Sequence, residues 1–351
     1  MTDIHWERYP QVAAVPSAST WLTIQHNLGL ARNTIEAYGR ALQEYLAFCA
    51  DNHIEPETAT RKQIALYVSH LVKLPHRQRP NVVHIESGAG LANATIQQRL
   101  VAVRLFYDFL VEEERREINP VGRGRYTVGK GFGGIREKGL VPRYTKLPWI
   151  PTDEQWQAIL RVAREQTIRN RMMLSLAYDA GLRREELCAL RTDDLDPAYR
   201  TVRIRAETTK GRRERVVAYS AATAQLLQAY LAHRLSISRA RGPLFLSESP
   251  RNRAEPITLW TWSKVVRSIA VRANIPQFST HTLRHLCLTD LARSGWELHA
   301  IATFAGHRSL TTTLQYIHLS GRDLADKLAR GMAQIHTWRA RMLTQNNSEE
   351  V

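Results

Sequence analysis

Acidic residues are the scarce class in this chain. Thirty-three Asp and Glu stand against 49 Lys and Arg in 351 residues, which leaves a formal charge of +16 and a pI near 10.1. That deficit argues against a cationic partner and for a polyanion, either nucleic acid or an acidic membrane surface. Long apolar runs are missing too, with no uninterrupted stretch near the ~20 residues that a membrane-spanning helix needs. The opening "MTDIHWERYP" lacks the basic-then-apolar layout of a signal peptide. Membrane insertion and secretion are thereby disfavoured, and a cytoplasmic protein bound to nucleic acid is expected. Cysteine is rare: Cys49, Cys188 and Cys287 lie far apart inside helical patterns and form no C-x-x-C pair. This excludes a disulfide framework, and the three read as reduced, buried thiols. Internal repeats and low-complexity tracts are also absent.

What is present is enough apolar surface for two ordinary domains, since 44% of residues are hydrophobic. Residues 1–18 read as a lead-in, followed by a helical domain over residues 19–120. Within it, Asn33 and Glu36 resemble a capping box before Ile35, Tyr38, Leu42, Tyr45, Leu46 and Cys49, and Thr60 with Gln63 repeats the signal before Ile64, Tyr67, Val68 and Leu71. A third helix is predicted after Asn93, with Ile96, Leu100, Val103, Tyr107 and Leu110 inward and Gln97, Gln98, Arg99 and Arg104 outward, ended by "INP". The stretch "PHRQRPNVVHIESGAG" reads as a loop, compatible with phosphate contact and equally with a solvated turn.

Residues 121–146 differ in kind. Seven glycines and seven Lys or Arg accompany one acid, Glu137, a composition that opposes packing and suits a basic interdomain strap or a plain tether. A second domain over residues 147–320 opens at Thr152 and Gln155, again a capping-box pair. The helix "RNRMMLSLAYDA" is expected to stop at Gly181, and "TVRIRAE" and "RERVVAY" read as two short strands around "TTKGR". The fold class expected is mainly α with a small antiparallel sheet, in two domains.

Four stretches carry candidate chemistry. "GLRREEL" sets Arg183 just past a helix cap, "TTKGR" lifts Lys210 to a hairpin tip, and "HTLRH" puts His281 and Arg284 on one helical face. "GHRSLTTTLQYIH" supplies His307 directly after a helix-ending glycine and Tyr316 nine residues on. Each alone has a mundane structural explanation, and a tyrosine at helical spacing is usually a packing residue.

Taken together, "GLRREEL", "TKGRRERVV", "HTLRH" and "GHRSLTTTLQY" resemble the active-site motifs of the tyrosine recombinases, the phage-integrase family. The resemblance spans about Thr152 to His318, and the helical N-terminal domain ending in "NP" is similar to the family's core-binding, SAM-like domain. One departure is Glu185, where many members carry serine ahead of the residue matching Glu186. The resemblance implies a two-domain DNA clamp of the integrase or transposase type. Its catalytic set would be Arg183, Lys210, His281, Arg284, His307 and Tyr316.

Such a set suits a phosphodiester. Two permanently charged guanidiniums neutralise the non-bridging oxygens as charge builds, and His307 adds a hydrogen bond. Tyr316 attacks phosphorus, its proton passing to His281, and Lys210 protonates the leaving oxygen. The family implies a 3′-phosphotyrosyl intermediate, in which the stored ester lets strands rejoin without ATP, metal or other cofactor. The implied partners are double-stranded DNA with specific sites, a homo-tetramer on two duplexes, and accessory DNA-binding proteins, with no membrane.

His281 and His285 are spaced to hold zinc, but Thr282 replaces the glutamate of H-E-x-x-H and no nearby carboxylate or thiol completes a ligand set. A type IB topoisomerase and a catalytically silent DNA-binding regulator with the same fold are the alternatives. Residues 321–351 read as an amphipathic helix and tail, with Leu324, Leu328, Met332, Ile335, Trp338 and Met342 expected on one face. It suits self-packing or docking on a neighbouring protomer.

Overall fold

The computed structural model describes residues 4–74, 91–122, 140–141, 147–209 and 211–317. The expected basic loop before Leu91, nearly all of the glycine-rich linker, Lys210 and the C-terminal tail lie outside the described residues. The chain divides into two compact units, Met1–Lys146 and Leu147–Val351.

The first unit is helical: α1 (Pro10–Ala14), α2 (Pro16–Asn27), α3 (Arg32–Asp51), α4 (Arg61–Lys73) and α5 (Asn93–Glu112). The apolar faces expected of α3, α4 and α5 are buried together, and Trp21, Tyr45, Tyr67, Phe106 and Tyr107 fill the centre. Three of these rings carry hydroxyls that have to be satisfied or endured in the core. Tyr45 and Tyr107 hydrogen-bond to each other, and the Tyr107 hydroxyl also donates to the Pro56 carbonyl at 2.7 Å.

Three expectations for this unit are corrected. Asn33 does not cap α3; Ala31 is the N-cap and makes no side-chain bond, while Arg32 pairs with Glu36 one turn on at 3.1 Å. Residues 10–18 are not a loose lead-in, because α1 and the start of α2 bury Val12 and Ala18, with Tyr9 just ahead of them. The polar face of α5 is not simply solvated. Gln97 donates to the Val141 carbonyl at 2.8 Å, Arg99 pairs with Glu44, and Arg104 donates to the Val121 carbonyl at 3.0 Å. The capping box at Thr60 and Gln63 is present.

In the second unit, α6 (Asp153–Arg164) starts at the Thr152–Gln155 capping box and packs on α7 (Ile168–Asp179). Next come α8 (Arg184–Cys188) and the strands β1 (Leu195–Asp196), β2 (Thr201–Ile204) and β3 (Arg215–Ala218). These form one antiparallel sheet in sequence order, with Val202 opposite Val217. Val202, Ile204 and Val217 are turned into the core, as period-two alternation requires. Five helices follow: α9 (Ala221–Ile237), α10 (Leu259–Arg272), α11 (Thr280–Arg293), α12 (Leu298–Ala305) and α13 (Leu310–Ile317). The apolar helix α7 packs against both α9 and α11, while α11, α12 and α13 pack on one another. No helix among the described residues is long and apolar enough to cross a membrane.

Candidate active site

Two left-handed glycines bring the site together. Gly181 (φ +55°) turns the chain from α7 toward α8, and Gly306 (φ +62°) ends α12 and redirects it into α13. Beside the first lies Arg183, the N-cap residue of α8; immediately after the second lies His307. Helix α11 supplies the floor. Its N-cap Ser279 closes a capping box with Thr282, so His281 falls on the first turn and Arg284 and His285 on the next.

Arg284 is 4% exposed and spans the gap between the two glycine turns. It donates through Nη1 to the Gly181 carbonyl and through Nη2 to the Ala305 carbonyl, both at 2.6 Å, and Nη2 also lies 3.0 Å from His307 Nε2. Burial, reinforced by the charge of Arg183, brings its pKa down to about 10, so it stays cationic at neutral pH. Arg183 donates through Nη1 to Glu186 Oε1 at 2.8 Å, with the Ala305 carbonyl 3.5 Å away. The two guanidiniums therefore reach one carbonyl at the end of α12.

A guanidinium only donates, so His307 Nε2 accepts from Arg284 and its proton sits on Nδ1, which donates to Thr313 Oγ1 at 2.8 Å. Burial and the neighbouring charges of Arg284, Arg183 and Arg215 push its pKa down to about 4. The neutral ring stacks on Tyr316 with planes 10° apart and centroids at 5.9 Å.

Tyr316 is 3% exposed, and its ring joins a small apolar cluster with Leu288, Ala292, Ile301 and Ala305. It is thus a packed ring, with its hydroxyl turned toward α11. The partner differs from expectation: the Tyr316 hydroxyl lies 3.0 Å from His285 Nδ1, not against His281. The reason is depth along α11. His281 is exposed on the first turn, whereas His285 lies one turn further along, where α13 packs on the helix. The two histidine rings are 6.3 Å apart. Burial, His281 and Arg284 bring the His285 pKa to about 4. The His281 pKa is lowered as well, by burial of part of its ring and by Arg184, Arg284 and Arg183 against the opposing pull of Glu185.

Glu185 accepts from Arg184 at 2.7 and 3.2 Å, and Arg184 reaches Ser263 on α10 at 3.2 Å. The unusual residue thus shapes the surroundings of His281 and makes no contact with Arg183. Four of the six sequence candidates, Arg183, Arg284, His307 and Tyr316, form one connected cluster with His281 at its rim. Lys210 lies outside the described residues, next to Gly211, whose carbonyl accepts from Arg308 at 2.8 Å. The candidates missed were His285, Glu186, Arg215 and Thr313. Two of these had a signal: His285 in its four-residue spacing from His281, and Glu186 in its match to the family motif. Among the described residues no group of three His, Cys, Asp or Glu has metal-binding geometry.

Residues 151–322 match the phage integrase family, and residues 21–114 match the phage integrase N-terminal SAM-like domain. Tyrosine recombinase XerD of Caulobacter vibrioides is 30% identical over 304 residues, covering 84% of this chain and 88% of that protein. Tyrosine recombinase XerD of Halalkalibacterium halodurans is 27% identical over 313 residues, covering 86% and 92%. Among solved structures, the Tn1549 transposon integrase in complex with a circular intermediate DNA has the same fold, with a TM-score of 0.65 at 15% identity over 90% of this chain and 99% of that one. On the strength of both matched domains and full-length relatives, the chain belongs to the phage integrase family of tyrosine recombinases.

Proposed function

We propose that this recombinase cuts and rejoins double-stranded DNA at specific sites through a 3′-phosphotyrosyl intermediate, in the integration, excision or transposition of a mobile element. The observation that carries the reading is the unbroken contact from Arg284 through His307 to the ring of Tyr316, whose hydroxyl sits on His285. A nucleophile, a proton acceptor and permanent cations converge where a phosphodiester needs all three.

In this reading Arg183 and Arg284 hold the non-bridging oxygens, and charge that builds on them in the transition state is met by donors already in place. His307 Nε2 now accepts from Arg284. An arriving phosphate takes that donor for itself and favours the protonated imidazole, which then donates to the same phosphate. As the Tyr316 oxygen bonds to phosphorus, its proton passes to His285 Nδ1, with His281 next toward solvent. The bond from phosphorus to the 5′ oxygen breaks, and Lys210, assigned from sequence, supplies the proton that leaves a 5′-hydroxyl. Reversal with a different 5′-hydroxyl rejoins strands, and the ester conserves the energy of the broken bond.

The net charge of +16 suits a DNA backbone. A homo-tetramer on two duplexes, with accessory DNA-binding proteins and a cytoplasmic location, completes the proposal; the fold shared with the Tn1549 transposon integrase, which was solved in complex with a circular intermediate DNA, supports DNA as the partner. The test uses nicked duplexes from the ends of the element that carries the gene, with wild type and Tyr316→Phe compared on a denaturing gel. A covalent protein–DNA band with wild type alone is expected. A band that persists in Tyr316→Phe removes the nucleophile, and binding without any band moves the chain to the silent-regulator reading.

A further inference from the structure

One buried cation in the second unit has no part in the chemistry just described. Arg215, the first residue of β3, has a side chain only 7% exposed, yet it sits where three separate segments meet. Its Nη1 and Nη2 donate to Glu186 Oε1 and Oε2 at 3.1 and 2.7 Å, a forked pair with both carboxylate oxygens. Its Nε donates to the Phe304 carbonyl at 2.9 Å, two residues before Gly306. The guanidinium also fills the space beside that glycine, since a Cβ built there would lie 3.1 Å from Arg215 Nη1.

Glu186 in turn holds Arg183, by its backbone N–H at 3.0 Å and by Nη1 at 2.8 Å. One carboxylate is therefore shared by two arginines of unequal exposure: Arg183 at 21% and Arg215 at 7%. The more buried one fixes the carboxylate, and the carboxylate aims the more exposed one.

We propose that Arg215 is a positioning residue for strand cleavage: through Glu186 it orients the guanidinium of Arg183 toward the scissile phosphate, and through the Phe304 carbonyl it fixes the turn that presents His307. The assignment rests on the recombination reading above. A lysine in its place keeps the charge but cannot grip both carboxylate oxygens and the Phe304 carbonyl at once. Arg183 then loses its fixed aim while the charge of the site is unchanged.

The experiment is single-turnover cleavage of a nicked duplex by wild type and Arg215→Lys, with DNA affinity measured alongside. It is repeated on duplexes whose scissile phosphate carries a neutral methylphosphonate in each stereochemical form. Removing one non-bridging oxygen removes the need for the cation that faces it. On the ordinary phosphate, Arg215→Lys is expected to cleave about tenfold or more slowly with affinity within about twofold. On one methylphosphonate isomer its deficit relative to wild type shrinks to within about threefold, a recovery that a merely destabilised fold does not produce.

Glu186→Gln combined with Arg215→Gln removes both buried charges together and carries the same comparison should Arg215→Lys fail to fold. Cleavage by Arg215→Lys equal to wild type overturns the assignment. So does an undiminished deficit on both isomers. A wild-type chain that forms no covalent complex overturns the recombination reading and this one with it, whereas the first two results leave that reading standing.

Discussion

The hydroxyl of Tyr316 and Nδ1 of His285 are 3.0 Å apart, across 31 residues of sequence and between two helices that pack on each other. His285 is neutral at physiological pH, with a pKa of about 4, and so is free of a competing proton. His285→Phe keeps a ring of similar size and deletes the acceptor. Its cleavage rate is expected to fall by about 10²- to 10⁴-fold with DNA affinity retained, and His281→Ala is expected to lose less. Single-turnover rates decide this, and a larger loss in His281→Ala would return the acceptor role to that residue.

The two candidate phosphate-binding arginines differ in what else they hold. Arg183→Ala should abolish most turnover while leaving the unfolding midpoint close to wild type. Arg284→Ala should lose turnover and also about 2–4 kcal/mol of stability, because the Gly181 and Ala305 carbonyls it serves are left in a buried site. Denaturant unfolding monitored by circular dichroism separates the two, and equal midpoints would count against the bracing role of Arg284.

The site predicts how stability depends on pH. His285 and His307 each have a folded pKa of about 4, below the unfolded value of about 6.5. As pH falls between those values the unfolded chain takes up protons that the folded chain refuses, so stability drops from about pH 6.5 toward pH 4. Glu186, buried yet held at about 2 by the hydrogen bonds and charge of Arg215 and by Arg183, continues the loss below its ordinary range. Thermal midpoints across this range should decline in wild type and more gently in His307→Gln. An identical slope in both would refute the histidine contribution.

Gly306→Ala tests the turn that presents His307. The added methyl group meets a left-handed φ of +62° and the Arg215 guanidinium at 3.1 Å. A stability loss of roughly 1–3 kcal/mol is expected, together with slower cleavage, because relief of the clash must move either Arg215 or His307. Full activity in this variant would mean that the turn tolerates displacement.

Thr152→Ala serves as a control far from the chemistry. It removes the side chain that accepts from the Gln155 backbone and should cost about 1 kcal/mol with cleavage unchanged. Altered cleavage would mean that the start of α6 influences the site.

Much of this protein was legible from the order of residues alone, wherever the governing interaction is local. The capping boxes at Thr60 and Thr152, the glycine stops at Gly181 and Gly306, and the alternation of Val202 and Ile204 each depend on neighbours within a few positions. The resemblance of four motifs to tyrosine recombinases likewise picks out six residues, of which the structure brings Arg183, Arg284, His307 and Tyr316 into one cluster. Asn33 misled because a capping pair is only a local option, and α3 begins two residues earlier than that cap would allow.

Tertiary structure alone decided who serves whom. His285 rather than His281 meets the Tyr316 hydroxyl, and Arg215 meets Glu186 across 29 positions, because the packing of α13 on α11 and of β3 beside α12 sets these encounters. Periodicity assigns a residue to a face. Which distant donor reaches that face depends on how helices and strands stack, and that is a property of the packed core rather than of any short stretch of chain.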